Sequence, residues 1–238
     1  KGFDASITWT DHINDFNYSI GGNITYSRFW DWEQYKPRFS NSWDEYRNSI
    51  WHRVGYVNWG YEAIGRFQNW EQIAYPIDND RKGNRTVVPG DIMYKDQNND
   101  GVINYLDERP IGYRVDSTPT LNFGINLSAS WKGFDLAMDW TGSGMTSWNQ
   151  CYETARPFQN DGNSPDEVLK DAWHLSDIWD ANSPLIPGKY PMIRLNTDET
   201  SAYDKSSYWL HNVTYLKLRN LEVGYTFPKT WLNKTGIS

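Results

Sequence analysis

The chain has 238 residues, with 23 Lys and Arg against 30 Asp and Glu for a formal net charge of -7, and it is 16% aromatic, with 14 Trp and 16 Tyr. That aromatic content excludes low-hydrophobicity disorder, and the acidic balance argues against nucleic acid as a partner, because phosphate binding needs a concentrated basic face. No run of about 18 apolar residues marks a membrane-spanning helix, the single Cys151 excludes an internal disulfide framework and reads as an inert, partly buried thiol, and Lys1-Gly2-Phe3 opens no signal peptide, which implies either cytoplasmic synthesis or a start that lies elsewhere.

Taken in chain order, Phe3, Ala5, Ile7 and Trp9 alternate with Asp4, Ser6, Thr8 and Thr10, the period-2 pattern of a strand with one apolar and one polar face. A polar turn over Asp11 to Asp15 follows. Phe16, Tyr18, Ile20, Ile24 and Tyr26 then alternate with Asn17, Ser19, Asn23, Thr25 and Ser27, which predicts a second strand reaching about Phe29. Residues 31 to 117 form a very long connection rich in Trp, Tyr, Asn, Asp and Pro.

Within that connection, residues 96 to 107 read Asp-Gln-Asn-Asn-Asp-Gly-Val-Ile-Asn-Tyr-Leu-Asp. Oxygen ligands fall at Asp96, Asn98, Asp100, the Val102 carbonyl, Asn104 and Asp107, with Gly101 at the sharp turn of a calcium loop. Three carboxylates packed this closely repel one another unless a cation neutralises them. The spacing therefore predicts a structural calcium site, with Ile103 pointing into the local core. Asp at the last position has a short reach, which makes Glu108 an alternative. A competing reading is an Asx-rich turn held by its own side-chain hydrogen bonds. Pro89-Gly90 before the loop and Pro110 after it leave no flanking helix pair, so a clip fits better than a sensor.

Leu121, Phe123, Ile125, Leu127, Ala129 and Trp131 share one parity, and Asn122, Gly124, Asn126, Ser128 and Ser130 the other. The tight-turn pair Lys132-Gly133 leads into Phe134, Leu136, Met138 and Trp140 alternating with Asp135, Ala137, Asp139 and Thr141, which predicts a long antiparallel hairpin. A second long connection, residues 143 to 207, separates it from a last strand over about Tyr208 to Phe227. That strand changes parity at Leu216 and Leu218, which predicts a bulge.

Short turns on one side and long loops on the other, with aromatics at strand ends, match an outer-membrane β-barrel alternating lipid-facing apolar with lumen-facing polar residues. Strands of about 10 residues fit a tilted membrane strand, whereas soluble strands average about 5 to 6. A soluble β-sandwich uses the same alternation. Five regular strands cannot close a barrel, since at least about 8 are needed, so the barrel reading makes this chain a segment of a longer protein. His12, His52, His174 and His211 are far apart in sequence and read as surface or hydrogen-bonded residues. No phosphate loop or nucleophile elbow supports an enzyme. The loop tryptophans, among them Trp30, Trp32, Trp43, Trp51 and Trp59, lie among Asn, Asp and Arg, a mixture suited either to glycan stacking or to packing the loops together.

Several of these segments resemble a family. Residues 89 to 103, Pro-Gly-Asp-Ile-Met-Tyr-Lys-Asp-Gln-Asn-Asn-Asp-Gly-Val-Ile, continuing through Asp107-Glu108-Arg109-Pro110-Ile111-Gly112, look like the "PGDIKYKDxNGDGxIDxxDRxxIG" block of SusC/RagA-type TonB-dependent outer-membrane transporters. Residues 119 to 136 resemble that family's "PxxxxGxxxxxxYKGFDLS" hairpin. Tyr215 to Pro228, followed by Trp231-Leu232, resembles its "YLRLKNLTLGYTLPKKWL" strand, and Gly60 to Ile73 its "GxFQSxEEI" stretch. Asn99 replaces a usual Gly, and Phe227 a usual Leu.

The resemblance implies an all-β fold: a late segment of a 22-stranded outer-membrane barrel, with residues 31–117 and 143–207 as extracellular loops. The plug, the TonB-contacting segment and further strands would lie outside this chain. It also implies a non-enzymatic, multi-pass subunit that imports oligosaccharides, or peptides, beneath a SusD-like surface lipoprotein. Energy would come through TonB, and the two-protein unit would pair as a dimer. In this reading Asn17, Ser19, Asn23, Thr25, Asn122, Asn126, Asp135 and Asp139 face the lumen, and the other parity faces lipid. The alternatives are a soluble calcium-loop docking module of dockerin type and a carbohydrate-binding β-sandwich or glycoside hydrolase.

Overall fold

The computed structural model describes residues 1–228 apart from 33, 34, 36, 75, 116, 117 and 196–198. The Trp231-Leu232 pair lies outside the described residues. Five long strands pair antiparallel in one sheet in chain order: β1 (Gly2–Ile13), β2 (Phe16–Ser27), β3 (Leu121–Trp131), β4 (Phe134–Gly144) and β5 (Tyr215–Tyr225).

The register follows the side-chain parity. Trp9, Ile20, Leu127, Met138 and Leu221 form one row across all five strands, and Ile7, Gly22, Ile125, Trp140 and Leu218 form another. The opposite face carries rows such as Thr8, Gly21, Asn126, Asp139 and Asn220. A slip of one residue at any pairing would turn a whole strand over, so the alternation itself fixes the register. On the polar face Asn126 Nδ2 donates to Asp139 Oδ1 at 2.7 Å, and Thr10 Oγ1 donates to Ser19 Oγ at 3.1 Å.

The parity change in β5 has the predicted cause. Pairing steps from Leu218 opposite Trp140 to Asn220 opposite Asp139, which leaves Arg219 as the extra residue of a bulge. Leu216 and Leu218 above it and Leu221 and Val223 below it thereby stay on one face. At the hairpin ends, Lys132 and Gly133 take φ values of 47° and 89°, the left-handed pair that a type I′ turn requires. The first turn is shorter than the sequence suggests. Asp11, His12 and Ile13 continue the ladder opposite Tyr18, Asn17 and Phe16, so that only Asn14 and Asp15 turn. The last strand is also interrupted: Leu210–Asn212 pairs with Ser147–Asn149, and β5 begins only at Tyr215.

The two long connections are not independent loops. They fold into one lobe beyond the ends of the strands opposite the tight turns, and Ser143 and Gly144 still belong to β4. The lobe core takes Tyr61, Ile92, Tyr94 and Ile103 from the first connection and Val168, Tyr190, Tyr203 and Trp209 from the second. Polar groups in it are paired across the same divide. Asn79 Nδ2 donates to Ser201 Oγ at 3.1 Å and Tyr94 Oη donates to the Ser201 carbonyl at 2.7 Å, while within the second connection Trp209 Nε1 donates to the Ala202 carbonyl at 2.9 Å. The Pro-Gly-Asp of the resembling block is part of this join. Gly90 sits at a φ of 92° where a Cβ would meet Trp173 Cγ at 2.5 Å, and the buried Asp91 pairs with Arg194.

Asp80 organises the loop beside this join. Its carboxylate accepts the backbone N–H groups of Lys82, Asn84 and Thr86 and the Thr86 hydroxyl. Burial pushes the carboxyl up, but the Thr86 and Lys82 hydrogen bonds outweigh it and bring it down to about 2. A carboxyl depressed on folding stabilises the protein above its unfolded value near 3.8 and loses that contribution as pH falls toward about 2. The lobe is expected to lose about 2 kcal/mol over that window through this group. Asp80→Asn should remove that part of the acid dependence in denaturant titrations between pH 5 and pH 2, and an unchanged acid limb in the variant would rule Asp80 out as its source.

Candidate functional site

Two features of the described residues carry chemistry. The first is the segment from Asp96 to Asp107. Asp96 accepts the N–H groups of Asn99 at 2.7 Å and Gly101 at 2.8 Å, and Asp100 accepts that of Val102 at 2.9 Å. Asp107, fully buried, accepts Gln97 N and Asn104 N, both at 2.8 Å. These bonds wrap the backbone around the acids, so that one oxygen each from Asp96, Asp100 and Asp107 lies within 4.8 Å of the others. The turn needs left-handed backbone at Asn99 (φ 61°) and Gly101 (φ 84°). Asn is among the few L-residues that tolerate that region, which explains how it stands where the resembling family has Gly.

The donor set fits a hard divalent cation. Each carboxylate oxygen bonded to one N–H keeps a second lone pair, and Val102 can offer its carbonyl. Asn98 is tied to Asp100, its Nδ2 donating to Asp100 Oδ2 at 2.9 Å. Asn104 braces the loop: its Oδ1 accepts Leu106 N at 2.9 Å and its Nδ2 donates to the Val102 carbonyl at 3.1 Å. At that loop position calcium is commonly reached through a water. Glu108 turns away to Arg47 at 2.8 Å, which leaves Asp107 as the closing acid. The Val102 N–H and the Asn98 amide hold the Asp100 carboxyl below the usual carboxylate range.

The loop is anchored from behind. Ile103 is buried in the lobe core, Ile103 N donates to the Asp78 carbonyl at 2.9 Å, and Asp78 N donates to the Gly101 carbonyl at 2.8 Å. A strand (Ile92–Tyr94) precedes the loop and a three-residue 3-10 turn (Tyr105–Asp107) closes it. The helix that would follow a dockerin loop is not found among the described residues. The histidines stay apart from it: His211 Nε2 lies 3.0 Å from Gln150 Oε1, and His174 Nδ1 lies 2.9 Å from the Ala172 carbonyl. Cys151 is partly buried and free.

The second feature is the apolar face of the sheet. Ile7 is 77% exposed, Trp9 62% and Val223 74%, and no second sheet among the described residues covers them. A β-sandwich would need that second layer. Aromatic rings mark both margins of the face. Phe134, Tyr225 and Phe227 cluster at the turn end, with centroids 4.5 and 5.0 Å apart, and Phe3 stacks on Tyr26 at 5.7 Å at the other. On β2 the rows at Phe16 and Tyr26 stand about 34 Å apart at about 3.4 Å per residue. A tilt of about 40° reduces that to about 26 Å, close to the ~25 Å apolar band of outer-membrane barrels. No described helix is long and apolar enough to cross a membrane.

The loop tryptophans divide. Trp173 and Trp209 are buried in the lobe, and Trp43 and Trp59 pack edge-on at 6.3 Å, whereas Trp32, Trp70 and Trp179 are exposed. The residues that join the two connections, Asp91, Trp173 and Arg194, carried no signal in their spacing, because each finds its partner across long stretches of chain.

No family model matches the chain. It is 27% identical over 183 residues to the TonB-dependent receptor P3 of Formosa agariphila, an alignment that covers 74% of this chain and 16% of that receptor. Its fold matches the structure of the RagAB peptide importer in the "open-open" state with a TM-score of 0.52 at 20% identity, over 97% of this chain and 22% of the other. The chain thus spans about a sixth to a fifth of the length of the proteins it matches. Its mostly antiparallel β structure matches part of that importer, and the described strands do not close a barrel. Sequence and fold together bear out the resemblance: this chain is similar in sequence to a TonB-dependent receptor and has the fold of part of a SusC/RagA-type importer.

Proposed function

We propose that this chain is a late segment of the barrel wall of a SusC-like outer-membrane transporter, 22-stranded when whole. The whole protein would import oligosaccharides, or peptides, with a SusD-like lipoprotein, energised through TonB contacts made elsewhere in its chain. The wall consists of β1 to β5, and the lobe built from residues 31–117 and 143–207 is extracellular. The protein works as a transporter and not as an enzyme, and the two-protein unit pairs as a dimer. One observation supports this reading above others: a single-layered sheet whose apolar face spans all five strands with no cover among the described residues, bordered by aromatic rings on both margins. Water would make such a face costly, and lipid is the solvent that suits it.

Mass spectrometry of the protein extracted in detergent from source membranes tests the reading. The expected result is a much longer chain containing these residues, accompanied by a surface lipoprotein. A free chain of 238 residues in the soluble fraction would overturn it and favour the docking module or the sandwich.

The Asp96 to Asp107 loop, in this proposal, holds a structural calcium ion that pins the loop against the lobe core through Ile103 and the Asp78 pairing. Asp100 is exposed, so Asp100→Asn leaves the fold intact while removing a charge from the site. It is expected to weaken calcium binding by at least about tenfold in isothermal titration, and chelation should increase cleavage of the loop in limited proteolysis of the wild type. Equal calcium affinity in the two proteins would leave the loop as a self-bonded Asx turn.

A further inference from the structure

Where the tops of β2 and β3 meet the first connection lies a cavity of about 870 Å³. Ser27 and Thr120 line it, and both continue the polar parity of their strands, Ser27 after Asn23 and Thr25 and Thr120 before Asn122. Lys1 and Arg28, which exchange backbone hydrogen bonds at 2.7 Å and so extend the ladder in the parity of Phe3 and Tyr26, line it as well, and the cavity lies at the upper rim of the sheet.

Its lining runs against the charge of the chain. Although the net charge is -7, the described lining includes Lys1, Arg28, Arg53 and Arg114 and contains no Asp or Glu. Arg28 makes no ion pair among the described residues. Arg53 lies over the Tyr46 ring at 5.5 Å and donates to the Tyr46 carbonyl at 2.5 Å. Guanidinium and ammonium groups can only donate. A neutral sugar hydroxyl both donates and accepts, so a site built for neutral sugar mixes donors with carboxylates. A wall dominated by donors selects a group that only accepts. The exposed ring of Tyr113 adds a flat apolar face of the kind a pyranose stacks on.

We propose that this cavity binds the acidic groups, carboxylate or sulfate ester, of an anionic oligosaccharide at the rim of the sheet beside the lobe. The inference rests on the transporter reading for the route of the ligand, and on the cavity alone for its charge.

The test uses the full-length protein purified in detergent from the outer membrane. Isothermal titration would be run against trigalacturonate, a sulfated carrageenan tetrasaccharide without carboxylates, maltotetraose and tetraglutamate. Binding of trigalacturonate, of the sulfated sugar or of both is expected, and which of them binds identifies the anionic group. Arg28→Gln should weaken that binding by at least about tenfold and Arg28→Lys by less, and salt at about 0.5 M should weaken it as well. Maltotetraose should bind far more weakly. The proposal is overturned if neither acidic sugar binds, if maltotetraose binds as tightly, if tetraglutamate alone binds, or if Arg28→Gln leaves the affinity unchanged. A membrane-embedded protein that fails these tests loses the cavity assignment alone. A soluble protein that passes them keeps the cavity and loses the transporter reading.

Discussion

Arg194→Ala is expected to destabilise the lobe by about 3 to 5 kcal/mol, the usual effect of removing one partner from a buried ion pair. Asp91 is fully buried, and its Oδ2 accepts Val88 N at 3.0 Å. Arg194, which also donates to the Thr86 carbonyl at 2.6 Å, supplies the only counter-charge in contact with it among the described residues. Burial already pushes the Asp91 carboxyl above the usual carboxylate range, against the pull of Arg194. An acid raised on folding contributes stability below its unfolded value and loses it as pH rises through the folded one. Without the guanidinium that rise is larger, so the penalty of Arg194→Ala should grow from pH 5 to pH 8. Asp91→Asn placed on top of Arg194→Ala should recover part of the loss, because the amide oxygen still accepts Val88 N without a buried charge. Denaturant unfolding followed by tryptophan fluorescence gives the double-mutant cycle. A loss under about 1 kcal/mol that does not vary with pH would mean that the pair does not join the two connections.

The five-stranded sheet was legible in the sequence and the lobe was not, for a physical reason. In a one-layered sheet each residue's environment is set by its parity, a local property, so Leu121–Trp131 and the Lys132-Gly133 turn could be read from the alternation alone. Even the bulge at Arg219 was visible, because Leu218 and Leu221 can share a face only if one residue between them is extra. The misread turn at Asp11 to Asp15 shows the limit of that logic. Asp11 and His12 are polar by composition, yet pairing with Tyr18 and Asn17 costs them nothing at an exposed strand end. The meeting of Asp96, Asp100 and Asp107 was legible because the three acids lie within twelve consecutive residues. The lobe core is different. Its contacts join residues more than a hundred positions apart, such as Asn79 with Ser201 and Asp91 with Arg194, and no period along the chain records such a meeting.

Ile125→Arg is expected to prevent the wall from assembling in a bilayer, at a cost of about 2 to 4 kcal/mol for a lipid-facing cation near the midplane. Ile125 lies on the middle strand of the five, in a row with Ile7, Gly22, Trp140 and Leu218, and between the two aromatic margins. Its side chain has nowhere to go but outward, because the alternation gives the other face to Asn126. Snorkelling can bring an arginine at a margin to water, but from the middle of the band the reach is longest and the cost highest. The neighbouring Asn126→Lys is the control that separates charge from position. On the polar face the new ammonium lies opposite Asp139, with which Asn126 already bonds at 2.7 Å, so assembly should proceed. Heat-modifiable migration of the folded barrel on gels reads both variants in the full-length protein. Normal folding of Ile125→Arg, or equal failure of Asn126→Lys, would mean that parity does not divide lipid from lumen in this sheet.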